Sequence, residues 1–420
     1  MSALIRRNSE QVVRELLDTF RVVLLGGARQ TGKTTLAREL LDLPHQAWVS
    51  LDDEAALTLA TDDPISFLEG LPRPAAIDEF QRAGRGLLLA VKMAADRDRR
   101  RGQLLLTGST NYLADRRISE TLAGRVGRLL LWPLSMGERL GVQETFVDQL
   151  FEPAAWPGEA VGLPRDELID FLLQGGYPEI VTEKLAGRRR YRWYRTYVQD
   201  VVSREALRPL AEIRLEAELR NVLRLLAART GQELVVSGIA GDAELGRETT
   251  ANYITLLEAL HLVMLLPAWS TNATTKAKRR PKVLLVDTGL AAYLNGLGEQ
   301  AFAITADGTA AGALFETFVT TEIAKQAAWS ERAVELFHFR DRHGSEVDLI
   351  VEDMQSGEVA GIEIKLTRTP LVRHVRHLAA LRDHLGDRFK AGLLVHAGSQ
   401  LLSFGDRLWA VPVDSLWRSD

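Results

Sequence analysis

The residues with the clearest chemistry stand at 27 to 35: Gly27, Ala28, Arg29, Gln30, Thr31, Gly32, Lys33, Thr34 and Thr35. They fit the spacing G-x-x-x-x-G-K-[ST], in which glycines let backbone N–H groups curl around phosphate oxygens. A lysine at this place reaches the β and γ phosphates, and a threonine hydroxyl is placed on Mg²⁺. ATP with Mg²⁺ is therefore expected on these residues, with Lys33 catalytic and Thr34 a metal ligand. A second cluster, Asp78 and Glu79, closes the apolar run in PAAIDEFQR. Asp78 is expected to hold Mg²⁺, through water, and Glu79 to orient and polarise the attacking water. Farther on, Ser109 or Asn111 in QLLLTGSTNYL are candidates for sensing the γ-phosphate, against the plainer reading of a hydroxyl-rich turn. Arg125, ahead of Arg128, is the candidate arginine that would stabilise transition-state charge, from its own chain or from a neighbouring subunit.

The elements that must position these groups can be read from the pattern around them. VVLL at 22 to 25 reads as a buried strand and TLARELLDL as the helix that follows, so the glycine loop has strand before it and helix after it. The helix N-terminus adds partial positive charge toward a phosphate. AWVSLDDEAA reads as a second strand ending in Asp52 and Asp53, which are taken as caps of the next helix rather than as ligand groups. SEQVVRELLDTF at 9 to 20 has the spacing of an amphipathic helix.

GARQTGKTTLA, AIDEFQ, LLLTGSTNYL, LAGRV and GGYPEIV, in this order, resemble a large prokaryotic family of AAA-type ATPases that carries a C-terminal domain of poorly known function. The resemblance extends over nearly the whole chain. It implies ATP binding with Mg²⁺; substrates in that family are largely unassigned.

The middle of the chain reads as helices. In RRRYRWYRTYVQDVV at 188 to 202 arginines interleave with Tyr191, Trp193, Tyr194 and Tyr197. Such a set can track a nucleic-acid backbone. The favoured reading is instead a helix packing its aromatics inward, since Trp193 and Tyr197 share a face at i, i+4. Residues 217 to 286 give three helices and a hairpin, the order of a winged helix-turn-helix. Its third helix would present Arg247, Thr249, Thr250, Asn252 and Tyr253 to a DNA major groove. The hairpin would bring Lys276, Lys278, Arg279, Arg280 and Lys282 to phosphates, with a log–log salt slope of roughly −4.5 for five charges.

At the C-terminal end, Glu316 lies within the helical pattern TAAGALFETFVTTEIAKQA, Asp348 in the alternating strand EVDLIV, and Glu363 and Lys365 on one face of GIEIKLT. This set resembles the restriction-endonuclease-like family with its PD-(D/E)xK pattern. Two carboxylates would hold a hard divalent cation, Mg²⁺ or Mn²⁺, that polarises the scissile phosphate. Asp348 and Glu363 are then catalytic and metal-binding, Lys365 steers the nucleophile, and Glu316 completes the metal sphere. Such domains also serve as inactive nucleic-acid-binding or assembly modules.

The formal net charge is −4, so a polyanion surface must be local, and the absence of cysteine excludes disulfides and cysteine zinc sites. No apolar run approaches the roughly 18 residues of a spanning helix and MSALIRRNSEQ has no apolar signal core, so no membrane and a cytoplasmic location are expected. The reading as a whole is α/β: a P-loop AAA-type ATPase core at 1–145, a helical lid or linker at 146–215, a winged helix-turn-helix at 216–307, and a restriction-endonuclease-like α/β domain at 308–420. The expected function is ATP hydrolysis that gates action on DNA, with a metal-dependent phosphodiesterase at the C-terminal end. Two alternatives stand beside it: a nucleotide-switched DNA-binding regulator with an inactive nuclease-like domain, and a protein-remodelling ATPase. AAA-type modules often form rings, so a homo-oligomer stays open.

Overall fold

In the computed structural model the described residues are 4–41, 47–109, 124–152, 161–202, 213–270, 279–303, 308–341 and 344–418. They fall into two units, one of Arg6–Pro133 with Leu256–Leu262, the other of Leu134–Thr255 and Val263–Asp420 together with the N-terminal residues up to Ile5. None of the helices among the described residues is long and apolar enough to cross a membrane.

The P-loop unit runs α1 (Glu10–Thr19), β1 (Val22–Gly26), α2 (Lys33–Leu41), β2 (Trp48–Ser50), α3 (Glu54–Asp62), α4 (Pro64–Glu69), β3 (Ala75–Asp78), α5 (Gly84–Arg97), β4 (Leu104–Gly108) and β5 (Val126–Leu130). Its sheet has the order β2-β3-β4-β1-β5, every pair parallel. Strands covered on both faces read as continuous apolar runs, which is why VVLL, AAI and LLL show no alternation. Val22, Leu24, Ile77, Leu104 and Leu106 pack with Phe67, Leu87, Leu88 and Val91 from the helices. In such a sheet the carboxyl ends of the strands open on one crevice. The glycine loop after β1, Asp78 at the end of β3 and Ser109 after β4 all stand on that edge. Asp53 caps α3, accepting the backbone N–H groups of Ala55 and Ala56.

The larger unit begins with α6 (Met136–Leu140), α7 (Phe146–Gln149), α8 (Arg165–Gln174), α9 (Pro178–Thr182) and α10 (Gly187–Asp200). In α10 Tyr194 and Tyr197 are buried while Arg188, Arg189, Arg192 and Arg195 are exposed, and the Trp193 and Tyr197 rings stack with centroids 5.1 Å apart. Next come α11 (Ile213–Ala227), β6 (Gln232–Glu233), α12 (Val236–Asp242), α13 (Arg247–Ala259), β7 (Val263–Leu266) and β8 (Lys282–Leu285). The three strands form an antiparallel sheet ordered β6-β8-β7.

After α14 (Thr288–Leu294), the buried α15 (Thr309–Ala327) leads into β9 (Val334–Arg340), β10 (Glu346–Asp353), β11 (Val359–Lys365), α16 (Arg376–Leu385), β12 (Phe389–His396), β13 (Leu402–Ser403) and β14 (Leu408–Pro412). Six strands are ordered β13-β14-β12-β11-β10-β9. The pairs β9/β10 and β10/β11 are antiparallel; β11/β12, joined through α16, is parallel. An added Cβ at Gly361 would stand 2.9 Å from Leu378, so α16 lies close on β11. The simple alternation expected of EVDLIV is interrupted by a register shift against β9 between Val347 and Ile350, and Val347 to Val351 are all buried.

Candidate nucleotide site and carboxylate–lysine cluster

The loop between β1 and α2 owes its shape to three left-handed or glycine-only conformations: Gly27 at φ 150°, Gln30 at φ 61° and Gly32 at φ 93°. A Cβ on Gly27 would lie 2.4 Å from the Leu131 carbonyl oxygen. Ala28, Arg29, Thr31 and Thr35 share this loop and the start of α2, and Thr31 Oγ1 donates to the Ala28 carbonyl at 2.9 Å. Lys33 is buried, its Nζ donating to the carbonyl oxygens of Gly27 at 2.9 Å and Ala28 at 2.8 Å. Arg7 braces the loop from outside the motif, donating from Nη1 to the Thr31 carbonyl and from Nη2 to the Trp132 carbonyl, each at 2.7 Å.

Asp78 at the end of β3 receives the Thr34 hydroxyl, 3.1 Å from Oδ2, and the Thr107 hydroxyl on Oδ1. Hydroxyl and carboxylate oxygens side by side are the donor set that a hard Mg²⁺ takes, so these residues fit the metal that such a loop implies. Glu79 sits in the left-handed region at φ 53°, ψ 40°. Its Oε2 accepts from Ser109 Oγ at 3.1 Å and from Gln81 Nε2, which itself lies 3.1 Å from Ser109 Oγ. Ser109, expected to sense a γ-phosphate, here donates to Glu79 instead. Asn111 lies outside the described residues.

Arg125 stands at the wrong end of the sheet to serve its own chain. Its carbonyl accepts from Val22 N–H, at the start of β1, and its Nε lies 2.5 Å from Asp96 Oδ1. Four residue steps of strand, about 13 Å, separate that end from the glycine loop. Its expected role as a catalytic arginine in cis is corrected on that ground.

One residue of the segment Leu256–Leu262 enters this unit unannounced by any motif. His261 has φ 54°, and its Nε2 lies 4.0 Å from where a Cβ on Gly26 would stand. Burial, and then the Lys33 ammonium, hold its pKa down to about 4.

In the larger unit the structure brings Asp348, Glu363 and Lys365 together. Lys365 Nζ lies 2.7 Å from Glu363 Oε1 and 3.2 Å from Asp348 Oδ2, and the Ile364 backbone N–H donates to that same Oδ2 at 2.8 Å. Lys282, on β8, joins them: its Nζ is 2.7 Å from Glu316, 3.1 Å from Glu346 and 3.8 Å from Asp348. Lys282 is 3 % exposed, so its expected place among phosphate-contacting cations on a hairpin tip is corrected. Burial alone would pull its ammonium down, but Glu316, Asp348 and Glu346 raise it; burial and Asp348 push Glu316 up to about 7 and Glu363 to about 8. Among the described residues no three His, Cys, Asp or Glu are set to hold a metal ion. Beside the expected Lys365, a second ammonium, that of Lys282, stands among Glu316, Glu346 and Asp348 where a divalent cation was expected, so this arrangement does not fit the metal.

Of the expected DNA contacts, Arg247, Thr249 and Asn252 are exposed on α13 and Arg280 is exposed before β8. Arg279 donates to the Arg340 carbonyl at 2.7 Å. Thr250 is fully buried, its hydroxyl donating to the Gly246 carbonyl, and Tyr253 is buried with its hydroxyl on Glu218. Neither can touch a groove, because both face the interior side of α13. Lys276 and Lys278 lie outside the described residues.

The loop, the acidic strand end and the five-stranded parallel sheet define an AAA-type P-loop ATPase domain. Residues 19–140 match the family model described as AAA domain. Residues 165–301 and 311–416 match two further models, Domain of unknown function (DUF8612) and Domain of unknown function (DUF4143). The chain is similar to the uncharacterized proteins Rv2008c of Mycobacterium tuberculosis and Mb2031c of Mycobacterium bovis, each 28% identical over 416 residues, covering 98% of this chain and 84% of theirs. Among solved structures it is similar to a Walker-type ATPase of Pyrococcus abyssi, at 16% identity over 69% of this chain and 96% of that one, TM-score 0.44. It is also similar to a RuvB Holliday junction branch migration motor of Thermotoga maritima, at 18% identity over 64% and 93%, TM-score 0.29.

Proposed function

We propose that the chain hydrolyses ATP to control its engagement of DNA. The observation that carries the ATPase reading is the meeting of Thr34 with Asp78 beside a Glu79 held by Ser109 and Gln81. Lys33 leaves the Gly27 and Ala28 carbonyls for phosphate oxygens, which are stronger acceptors for an ammonium. Thr34 and Asp78 hold Mg²⁺, which supplies neutralisation of the phosphate charge. Glu79 orients the attacking water once its carboxylate turns from Ser109. Arg125 of a neighbouring copy in a homo-oligomer, ahead of Arg128, would supply the arginine. The three-helix and hairpin order of α11 to β8, read as a winged helix, supports DNA as partner through Arg247, Thr249, Asn252 and Arg280.

The six-stranded sheet reads as restriction-endonuclease-like, and the convergence of Asp348, Glu363 and Lys365 supports that. Lys282 seated among the carboxylates favours a nucleotide-switched regulator whose C-terminal domain does not cut. The test is supercoiled plasmid with Mg²⁺ or Mn²⁺, with and without ATP, using wild type, Lys33→Ala and Asp348→Ala. ATP hydrolysis and ATP-dependent plasmid retention, both lost in Lys33→Ala and without nicking, are expected. Nicking lost in Asp348→Ala would restore the phosphodiesterase, and ATP hydrolysis with no DNA retention would leave a remodelling ATPase.

A further inference from the structure

Helix α13 is followed by a histidine in a conformation that favours glycine. Just past its last turn the backbone is left-handed at His261, where the His261 N–H donates to the Glu258 carbonyl and the Leu262 N–H to the Leu257 carbonyl. That position is ordinarily taken by glycine or asparagine, because a Cβ there crowds the following carbonyl. Histidine is among the residues that take this conformation more readily than most, as Lys184 and Glu244 also do after other helices of this chain.

The ring is turned to the end of β1. Its Nε2 stands by Gly26, the residue before the first glycine of the loop, and the Lys33 ammonium is near enough to act on it. Nε2 is buried and has no hydrogen-bond partner among the described residues. A buried polar atom left unpaired is costly, and such exceptions need an explanation. Lys33, whose charge acts on the ring, donates to the carbonyls of Gly27 and Ala28, the two residues that follow Gly26, so the ring lies at the entry to the loop that holds the ammonium. Cationic and N–H donors gathered beside a glycine loop suit phosphate oxygens rather than a base or a sugar.

We propose that His261 is a phosphate-contacting residue of the nucleotide site, its Nε2–H donating to a phosphate oxygen of the bound nucleotide. This rests on the reading that ATP fills the loop. The imidazole is the neutral tautomer with the proton on Nε2, and this unpaired atom becomes a paired one when nucleotide enters. The turn that closes α13 is then part of the ATPase site, although nothing in the loop motif points to it.

The test is calorimetric titration of ATP and ADP, with Mg²⁺, into wild type, His261→Asn, His261→Gln and Lys33→Ala, with the thermal midpoint of each free protein recorded beside it. Asparagine suits a left-handed backbone but its amide stops short of the place of Nε2. Glutamine carries an amide donor out to about that place. The inference expects affinity for both nucleotides to fall about tenfold or more in His261→Asn and to return most of the way in His261→Gln, since a hydrogen bond to a charged group is worth at least one decade. Undiminished affinity in His261→Asn would overturn it. An equal loss in both variants, with both thermal midpoints lowered, would also overturn it by making the histidine structural. No ATP binding by wild type, or full binding by Lys33→Ala, would bring down the nucleotide-site reading itself and this inference with it.

Discussion

Gly27 shows how little room the nucleotide loop leaves. A single methyl group there would be driven 2.4 Å from the Leu131 carbonyl oxygen, at a φ of 150° that suits only glycine. We expect Gly27→Ala to lose ATP binding and to destabilise the P-loop unit by about 1–3 kcal/mol, the usual cost of overpacking. Fluorescent-nucleotide binding and chemical denaturation would check both, and wild-type affinity in the variant would mean the loop takes another shape. Gly27, Lys33 and Thr34 stand out in the sequence because the dimensions of a phosphate fix their spacing, and Asp78 because it closes an apolar run. Arg7, Thr107 and His261 could not. Each reaches the site through the tertiary fold, from a place along the chain where an arginine, a strand threonine or a helix-end histidine means nothing by itself. Lys282 was hidden differently: in KRRPKVLL nothing marks the last lysine as buried among carboxylates while Arg280 stays outside.

Elements were more legible than contacts. Strand, glycine loop and helix from β1 to α2, and the run from α15 to β12, stand in the order that the hydrophobic pattern implied, because apolar runs covered on both faces leave few alternatives. Helix α10 was legible too, its aromatic residues spaced to share a face. What the pattern withheld is the polar anchor behind it. Tyr194 Oη lies 2.8 Å from Asp287 Oδ1 and 2.9 Å from the Gln174 carbonyl oxygen, while Asp287 also accepts the N–H groups of Gly176 and Leu290. Tyr194→Phe keeps the ring and removes one donor from a buried carboxylate. The larger unit should lose about 1–3 kcal/mol in urea denaturation, with ATP hydrolysis unchanged. An unaltered denaturation midpoint would show that Asp287 finds another donor. The arginines of the same helix point to solvent, so replacing Arg188 and Arg189 with serine should leave that midpoint where it is.

At the scale of the whole molecule, buried acids and histidines set the response to pH. Burial, with Glu322 next to it, pushes Glu144 up to about 8, and burial with Asp348 nearby does the same for Glu363 and takes Glu316 to about 7. An ordinary glutamate titrates near 4.5. Between about 4.5 and about 8 these three glutamates keep protons in the folded chain that the unfolded chain releases, so their contribution to stability falls as pH rises through that window, whereas His261, held down to about 4, adds stability as pH rises from about 4 to its ordinary 6.5. Glu144→Gln should therefore raise stability at pH 8 relative to pH 5, compared with the wild type, in denaturation at the two pH values. A pH dependence unchanged in the variant would contradict the raised Glu144 value. The cluster around Lys282 then behaves as a small ion exchanger. Lys282 and Lys365 are its tethered counter-ions, and Glu316 and Glu363 hold protons into the neutral range. A cation entering there cannot simply be added. It must expel a proton or drive out a lysine, so its uptake would weaken in acid and, in the second case, would tug on the strand from which Lys282 hangs.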